Sequence, residues 1–205
     1  MKFTIVAVVV ALCLAGANAN AIGFQVPHPN EFEYVPNDFA NDMEGIEDLT
    51  IFSSFYWIAK AALKTLKGVN CTIKQVMNTR SVTQNFIPSI QACGTDAVSA
   101  FTNVFTSAQS VITTCDNIIN LNEQVCNNDV STNGQTSTPS SCSTKLFGQL
   151  TTLYVQIQKT KAAIKKLPTV PSDAVACTNS AVTTLTTAFT NFPSNIKSCS
   201  KLTSS

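Results

Sequence analysis

The stretch CGTDAVSAFTNVFTSAQSVITTC at residues 93–115 decides the fold, because it recurs without gaps as CTNSAVTTLTTAFTNFPSNIKSC at residues 177–199. Each copy begins and ends with cysteine, and Cys71 stands the same 22 residues before Cys93. That separation is roughly six helical turns, so the two cysteines of a unit fall near one face of a helix. The repeat therefore predicts helices that are joined by disulfides.

Apolar residues recur at helical spacing through the rest of the body, and no segment alternates cleanly with the period of a strand. We predict five helices, at about 46–66, 70–86, 97–125, 143–167 and 172–199. The expected fold is all-α, a disulfide-stapled up-and-down bundle of about five helices.

A few residues set the expected boundaries of these helices. Gly68 is expected to stop the first helix, and Asn70 to cap the second. Pro88 is expected to bend or end the second helix, and Pro193 to kink the fifth. Residues 127–141 are polar and contain glycine and proline, so we predict a solvated loop between the third and fourth helices.

The first twenty residues predict secretion. Lys2 supplies a positive charge, residues 3–14 are almost wholly apolar, and Ala17-Asn18-Ala19 is a small-x-small cleavage site. The apolar run is too short to span a membrane. We expect a signal peptide at 1–19, cleaved after Ala19 or alternatively after Ala21, and a secreted, extracellular protein without a transmembrane segment.

Charge divides the remaining chain into two parts. Residues 20–50 contain seven acidic residues and no Lys or Arg, whereas residues 51–205 contain twelve Lys or Arg and five acidic residues. We therefore place an irregular acidic leader at 20–45 before a helical domain at 46–205. The leader also carries Phe24, Phe32, Tyr34 and Phe39. Two interpretations stay open, a flexible acidic arm or a strap whose aromatic residues dock on the basic body.

The cysteines predict a set of disulfides. The chain has eight cysteines, and Cys13 leaves with the predicted signal peptide. Cys126 and Cys142 bracket the polar loop, which favours a bridge at its base. In an up-and-down bundle Cys93 and Cys177 both lie at the start of parallel helices, so they form the natural bridge at that end.

The other three cysteines, Cys71, Cys115 and Cys199, are expected at the opposite end, where one pair forms the second bridge of the bundle. Cys115 lies on the apolar stripe of the third helix, which favours it as a free, buried thiol and leaves Cys71 to pair with Cys199. Which of the three is unpaired stays open. The unpaired cysteine could also form a bridge between two molecules. A disulfide-linked dimer is therefore an alternative.

Residues that could carry catalysis are sparse. The chain has a single histidine, His28, which argues against Ser-His-Asp or Cys-His chemistry. No two mature cysteines are closer than eleven residues, which disfavours zinc. We predict no enzyme activity, no metal site and no cofactor, and no nucleic-acid binding in a chain of near-neutral charge. The lysines at 159, 161, 165 and 166 either face an anionic surface or are the solvated end of a helix.

Two modification-related features complete the sequence. Asn70-Cys71-Thr72 is the N-glycosylation sequon, so Asn70 is a candidate glycosylation site. No Lys or Arg lies between Arg80 and Lys145, nor between Lys166 and Lys197. Trypsin-like enzymes therefore find few sites, which would suit a protease-rich extracellular fluid.

These features together resemble the insect secreted proteins that carry the TsetseEP-type domain. The residues that carry the resemblance are Cys71, Cys93, Cys115, Cys126, Cys142, Cys177 and Cys199, with Phe-Ile-Pro-Ser at 86–89 and Phe-Pro-Ser at 192–194. The resemblance covers most of the body, and the Glu-Pro repeat tail of the family's founding member is missing here. It implies an insect gut or gland product with no established activity, and it supplies no functional residues.

We therefore expect a non-enzymatic extracellular protein with an interaction or defence role, whose partner is an unknown extracellular protein. The alternative is a carrier that opens around a lipid or another apolar small molecule. A cavity lined by phenylalanines such as Phe101, Phe105, Phe147, Phe189 and Phe192 would favour the carrier. A packed core with an exposed apolar patch would favour the interaction protein.

Overall fold

Six α-helices make up the part of the chain that the computed structural model describes, which is residues 49–128, 140–167 and 172–202. They are α1 (Leu49–Ala62), α2 (Leu66–Gln91), α3 (Thr95–Ala100), α4 (Thr102–Asn120), α5 (Ser140–Lys165) and α6 (Ser172–Ser200), with a π-helical turn at Leu121–Val125. These ranges contain no strand, and the predicted all-helical fold is confirmed. The predicted signal peptide at 1–19 and leader at 20–45 lie outside the described residues.

Disulfides show that α2 and α6 run in opposite directions. The Cys71–Cys199 bridge joins the start of α2 to the end of α6. The Cys93–Cys177 bridge joins the chain just after α2 to the start of α6. Because each bridge pairs a start with an end, the two helices are antiparallel along their whole length.

The other helices also alternate in direction. Phe86, near the end of α2, packs on Phe101 at the start of α4, so these two helices are antiparallel. The Oγ of Ser143, at the start of α5, donates to the backbone carbonyl of Leu63, just after the end of α1. Helices α1 and α5 are therefore antiparallel. Along the chain, the direction therefore alternates between up and down from α1 to α6, with α3 and α4 together counted as one segment. This is the order expected of an up-and-down bundle.

The core lies between α2, α4, α5, α6 and the shorter α1. Helix α2 packs on both α4 and α6, α5 packs on α4, and α1 lies against α5 and α6. The fully buried face of α4 consists of Val104, Ala108, Val111, Cys115 and Ile118. These residues follow the steps of four and three that the sequence predicts, because such steps keep side chains on one face of a helix.

The same steps through residues 118 and 122 predict that Val125 is the last residue of this apolar stripe, and the prediction fails at that position. Val125 is 49% exposed, whereas Asn122 is fully buried. The backbone N–H of Cys126 bonds to the carbonyl of Leu121, five residues earlier, as in a π-turn. The wider turn changes the register of the following residues, so Val125 no longer faces the core.

The junction between α1 and α2 differs from the prediction. Helix α1 ends at Ala62, and Gly68 lies inside α2 instead of stopping the first helix. A Cβ at Gly68 would meet the backbone carbonyl of Ala62, so glycine is needed there for close packing. The cap of α2 is Thr65, whose Oγ1 accepts from the N–H of Gly68 at 3.0 Å, and the prediction of an Asn70 cap is wrong.

The predicted third helix is interrupted, while both prolines are accommodated. Phe101 has φ −92° and ψ 5°, which separates α3 from α4. Gly94, with φ 98°, forms the turn before α3, a conformation that glycine adopts without steric cost. Helix α2 continues through Pro88 to Gln91, and α6 continues through Pro193 to Ser200, so Pro88 does not end its helix.

Candidate functional site

Three cysteine pairs lie at bridging distance. The Cα atoms are 5.4 Å apart in Cys71–Cys199 and in Cys126–Cys142, and 5.7 Å apart in Cys93–Cys177. These are the pairs named from loop bracketing and from helix direction. One bridge ties α2 to α6 at each end, and the third holds the π-turn to the start of α5.

Cys115 is the free cysteine, and it is fully buried. Burial raises the pKa of its thiol to about 12, with a further increase from Asp116 and a smaller opposing effect from Arg80. The thiol is therefore protonated at neutral pH and is a poor nucleophile. A disulfide-linked dimer through this residue would require α4 to leave the core.

The position of Cys115 along the bundle explains why it stays unpaired. The neighbouring residue Asp116 forms an ion pair with Arg80, in the middle of α2. Cys71 lies nine residues before Arg80, which is about 13 Å along a helix. A disulfide needs Cα atoms within roughly 7 Å, so Cys115 cannot reach Cys71 or its partner Cys199. The expectation that all three cysteines share one level is wrong, because Asp116, next to Cys115, contacts Arg80 in the middle of α2.

Three asparagines form a buried polar network between the π-turn and α2. The Nδ2 of Asn122 donates to the backbone carbonyl of Asn128 at 2.6 Å. The Nδ2 of Asn128 donates to Oδ1 of Asn122 at 2.9 Å and to Oδ1 of Asn70 at 2.8 Å. The network fastens the chain after α4 to the first turns of α2. Sequence reasoning missed it, although Asn122 interrupts an apolar stripe.

The network also involves the candidate glycosylation site. Asn70 is half-buried within α2, Cys71 is bridged, and Thr72 is fully buried. The hydroxyl of Thr72 is inaccessible and the backbone is helical, so glycosylation would have to precede folding. Occupancy of Asn70 stays a prediction.

Lysines gather at one end of the bundle. The Oγ1 of Thr65, between α1 and α2, donates to the carbonyl of Leu202 at 2.7 Å, which brings the end of α6 beside the α1–α2 turn. The start of α5 lies against the same turn through Ser143. We call this the basic end, defined by Lys60, Lys64, Lys67, Lys145, Lys197 and Lys201. Among the described residues, Glu123 of the π-turn is the acidic residue at this end.

Exposed apolar side chains occur at the same end. Trp57, Val125 and Leu202 are 54%, 49% and 42% exposed. They account for three of the five large hydrophobic residues that are exposed in the described ranges. This end of the bundle therefore combines positive charge with exposed apolar side chains.

Aromatic contacts hold Trp57 in place. Its ring packs edge-on against Tyr56, at 5.5 Å between centroids, and Tyr56 packs edge-on against Phe147 of α5 at 4.9 Å. The Nζ of Lys60 lies 5.4 Å from the centroid of the Trp57 ring. Desolvation and the nearby Lys64 lower the pKa of Lys60. Sequence reasoning did not single out this surface.

A second group of lysines lies at the opposite end. The group lies in the last turns of α5 and just after it, where positive charges interact favourably with the helix dipole; its members are Lys159, Lys161, Lys165 and Lys166. Burial and the adjacent Lys165 lower the pKa of Lys161. This group has no neighbouring exposed aromatic residue among the described side chains, which distinguishes it from the basic end.

No protein-family model, curated protein or solved structure matches the chain. In the described ranges, no cluster of three or more His, Cys, Asp or Glu is arranged to hold a metal ion, and His28 lies outside these ranges. None of the described helices has the length and apolar character that crossing a membrane requires.

Proposed function

We propose that this chain is a secreted, non-enzymatic extracellular protein that acts by binding another molecule. The observation that carries the proposal is the basic end, where lysines and exposed apolar groups lie together on a disulfide-fastened framework. Three bridges favour an oxidising compartment, which is where such bonds persist. The resemblance to TsetseEP-type proteins adds an insect gut or gland setting to the proposal, in which the binding serves an interaction or defence role.

The state of the cysteines, the most nucleophilic residue type in the chain, favours binding over catalysis. Six described cysteines are bridged, and burial keeps the thiol of Cys115 protonated. The half-exposed Arg80–Asp116 pair is a contact between α2 and α4. The described cysteines thus stabilise the bundle, while its surface offers electrostatic attraction and apolar contact.

The carrier remains the second candidate of the sequence, and its cavity would have to be lined by phenylalanines. Phe101, Phe189 and Phe192 are fully buried and fill the core. The ring of Phe192 lies 5.9 Å from that of Phe55, and the ring of Phe101 lies 6.0 Å from that of Phe86. A ligand would have to displace these rings, and bridges at both ends of α2 and α6 oppose such opening. The packing supports the surface-binding function.

Mass spectrometry of the native secreted protein tests the proposal. We expect cleavage after Ala19 or Ala21, six oxidised cysteines and one thiol at Cys115. A protein that keeps residues 1–19 and has all its cysteines reduced would contradict secretion. A lipid that copurifies at one molecule per chain and survives removal of the basic-end lysines would favour the carrier.

A further inference from the structure

The basic end combines two properties that one kind of partner satisfies together. Trp57 and Lys60 lie one turn apart on α1, and Lys64 lies in the turn that follows it. Leu202 and Lys201 follow the end of α6, and the Thr65 hydrogen bond holds them beside the α1–α2 turn. Positive charge and exposed apolar groups thus occur together toward one end of the helical bundle.

We propose that the basic end is a peripheral membrane-binding surface, which docks on an anionic phospholipid bilayer with Trp57 and Leu202 in the headgroup region. This inference rests on the proposed binding function and names the class of partner. Lysines near an anionic leaflet are attracted to the lipid phosphates and carboxylates. Tryptophan is enriched at the boundary of membrane and water because its ring is amphipathic.

The residue types favour lipid over a structured acidic partner. Lysine is a flexible, hydrated point charge, whereas arginine provides the fixed, bidentate geometry that recognises a particular carboxylate or sulfate. The chain's single arginine, Arg80, is paired with Asp116 in the middle of the bundle, away from this surface. An anionic polysaccharide would use the lysines but would leave Val125 and Leu202 in water.

Two disulfides constrain the segments that pack around α1 at the basic end. Cys71–Cys199 joins the start of α2 to the end of α6, and Cys126–Cys142 joins the π-turn to the start of α5. These four segments carry most of the lysines of the basic end. Little conformational entropy is then lost when the surface meets a bilayer, which favours association.

The chain's single tryptophan makes the test direct. The oxidised, full-length secreted protein is mixed with vesicles of phosphatidylcholine and phosphatidylserine, or with vesicles of phosphatidylcholine alone, and binding is followed by cosedimentation and by Trp57 fluorescence. We expect binding to the anionic vesicles with a blue shift of the emission, and much weaker binding to the neutral vesicles. Raised salt should weaken the binding, because exposed charges are screened.

Matched variants locate the surface. The triple variant K60Q/K64Q/K201Q removes three charges from the basic end, and K159Q/K165Q/K166Q removes three charges from the other end. At roughly fivefold per lysine, the first triple should lose about a hundredfold in partitioning at low salt, while the second stays close to the parent. Leu202→Ser should weaken binding further than Met77→Ser, since Met77 is exposed at 47% on the side of α2.

Specific outcomes would overturn the proposal. Equal losses in the two triple variants would mean that net charge alone drives binding. Bound protein with unchanged Trp57 emission would mean that another face meets the bilayer. Binding to soluble heparin but not to vesicles would assign the lysines to an anionic polysaccharide. A secreted, oxidised protein that fails only on vesicles retains the proposed binding function but not this partner.

Discussion

Asn122→Ala should strongly destabilise this protein, because it removes the central side chain of the buried asparagine network. The side chain is fully buried and makes two hydrogen bonds, one from its Nδ2 to the carbonyl of Asn128 and one to its Oδ1 from the Nδ2 of Asn128. Truncation removes both bonds and leaves the carbonyl of Asn128 buried without that donor. Asn128 is itself only 2% exposed, so water cannot readily replace the lost partner.

The expected magnitude follows from these contacts. Each neutral hydrogen bond contributes about 0.5–1.5 kcal/mol net, and an orphaned buried group costs about 1–3 kcal/mol. The free energy of unfolding should therefore fall by about 2–4 kcal/mol. For a domain of this size that corresponds to a decrease in melting temperature of roughly 5–15 °C.

Urea unfolding of the oxidised protein, followed by circular dichroism, measures the change. The midpoint should fall while the slope stays constant, which indicates a change in stability alone. Asn117→Ala is the matched control, since Asn117 is an exposed asparagine of α4 five residues earlier. If Asn122→Ala unfolds within about 0.5 kcal/mol of Asn117→Ala, the network contributes nothing and the reasoning fails.

Three further predictions test other contacts. Gly68→Ala should destabilise the protein by about 1–3 kcal/mol in urea unfolding, because its methyl group would meet the carbonyl of Ala62, and an unchanged midpoint would contradict that contact. Cys115 should resist a thiol reagent at pH 8 until the protein unfolds, and stability should fall as pH rises from about 9 toward 12, because the unfolded thiol ionises there while the buried one keeps its proton. The oxidised protein should resist both trypsin and chymotrypsin until it is reduced; rapid chymotrypsin cleavage of the native form would show that its resistance to trypsin depends on composition rather than on the bridged bundle.

Much of the fold could be predicted from local patterns. The cysteine repeat and the steps of four and three depend only on helical period, so they located the helices and the buried face of α4. The α1–α2 junction could not be predicted this way. Thr65 and Asn70 are both good capping residues, and the choice depends on Gly68 fitting against Ala62, which is a tertiary contact. The π-turn likewise depends on Asn122 reaching Asn128, and on Asn128 reaching Asn70 in a different helix.

The basic end was missed for another reason. Its lysines are scattered from Lys60 to Lys201 along the chain, so no run of charge marks them. They come together because an up-and-down bundle places the end of each rising helix beside the start of the next falling one. The predicted order of helices therefore contains the information that places these lysines at one end of the bundle, although their sequence positions do not.

The two copies of the repeat show what such a pattern determines and what it leaves undetermined. Cys115 and Cys199 occupy the same position in their copies, and both are fully buried, so helical period sets the face on which each lies. Their chemistry differs, because Cys199 is level with Cys71 while Cys115 lies beside the middle of α2. The first copy starts at Cys93, in the turn between two helices, and is interrupted again at Phe101, whereas both cysteines of the second copy lie inside one continuous helix, α6. A disulfide requires both the face and the height, and the shared sequence determines only the face.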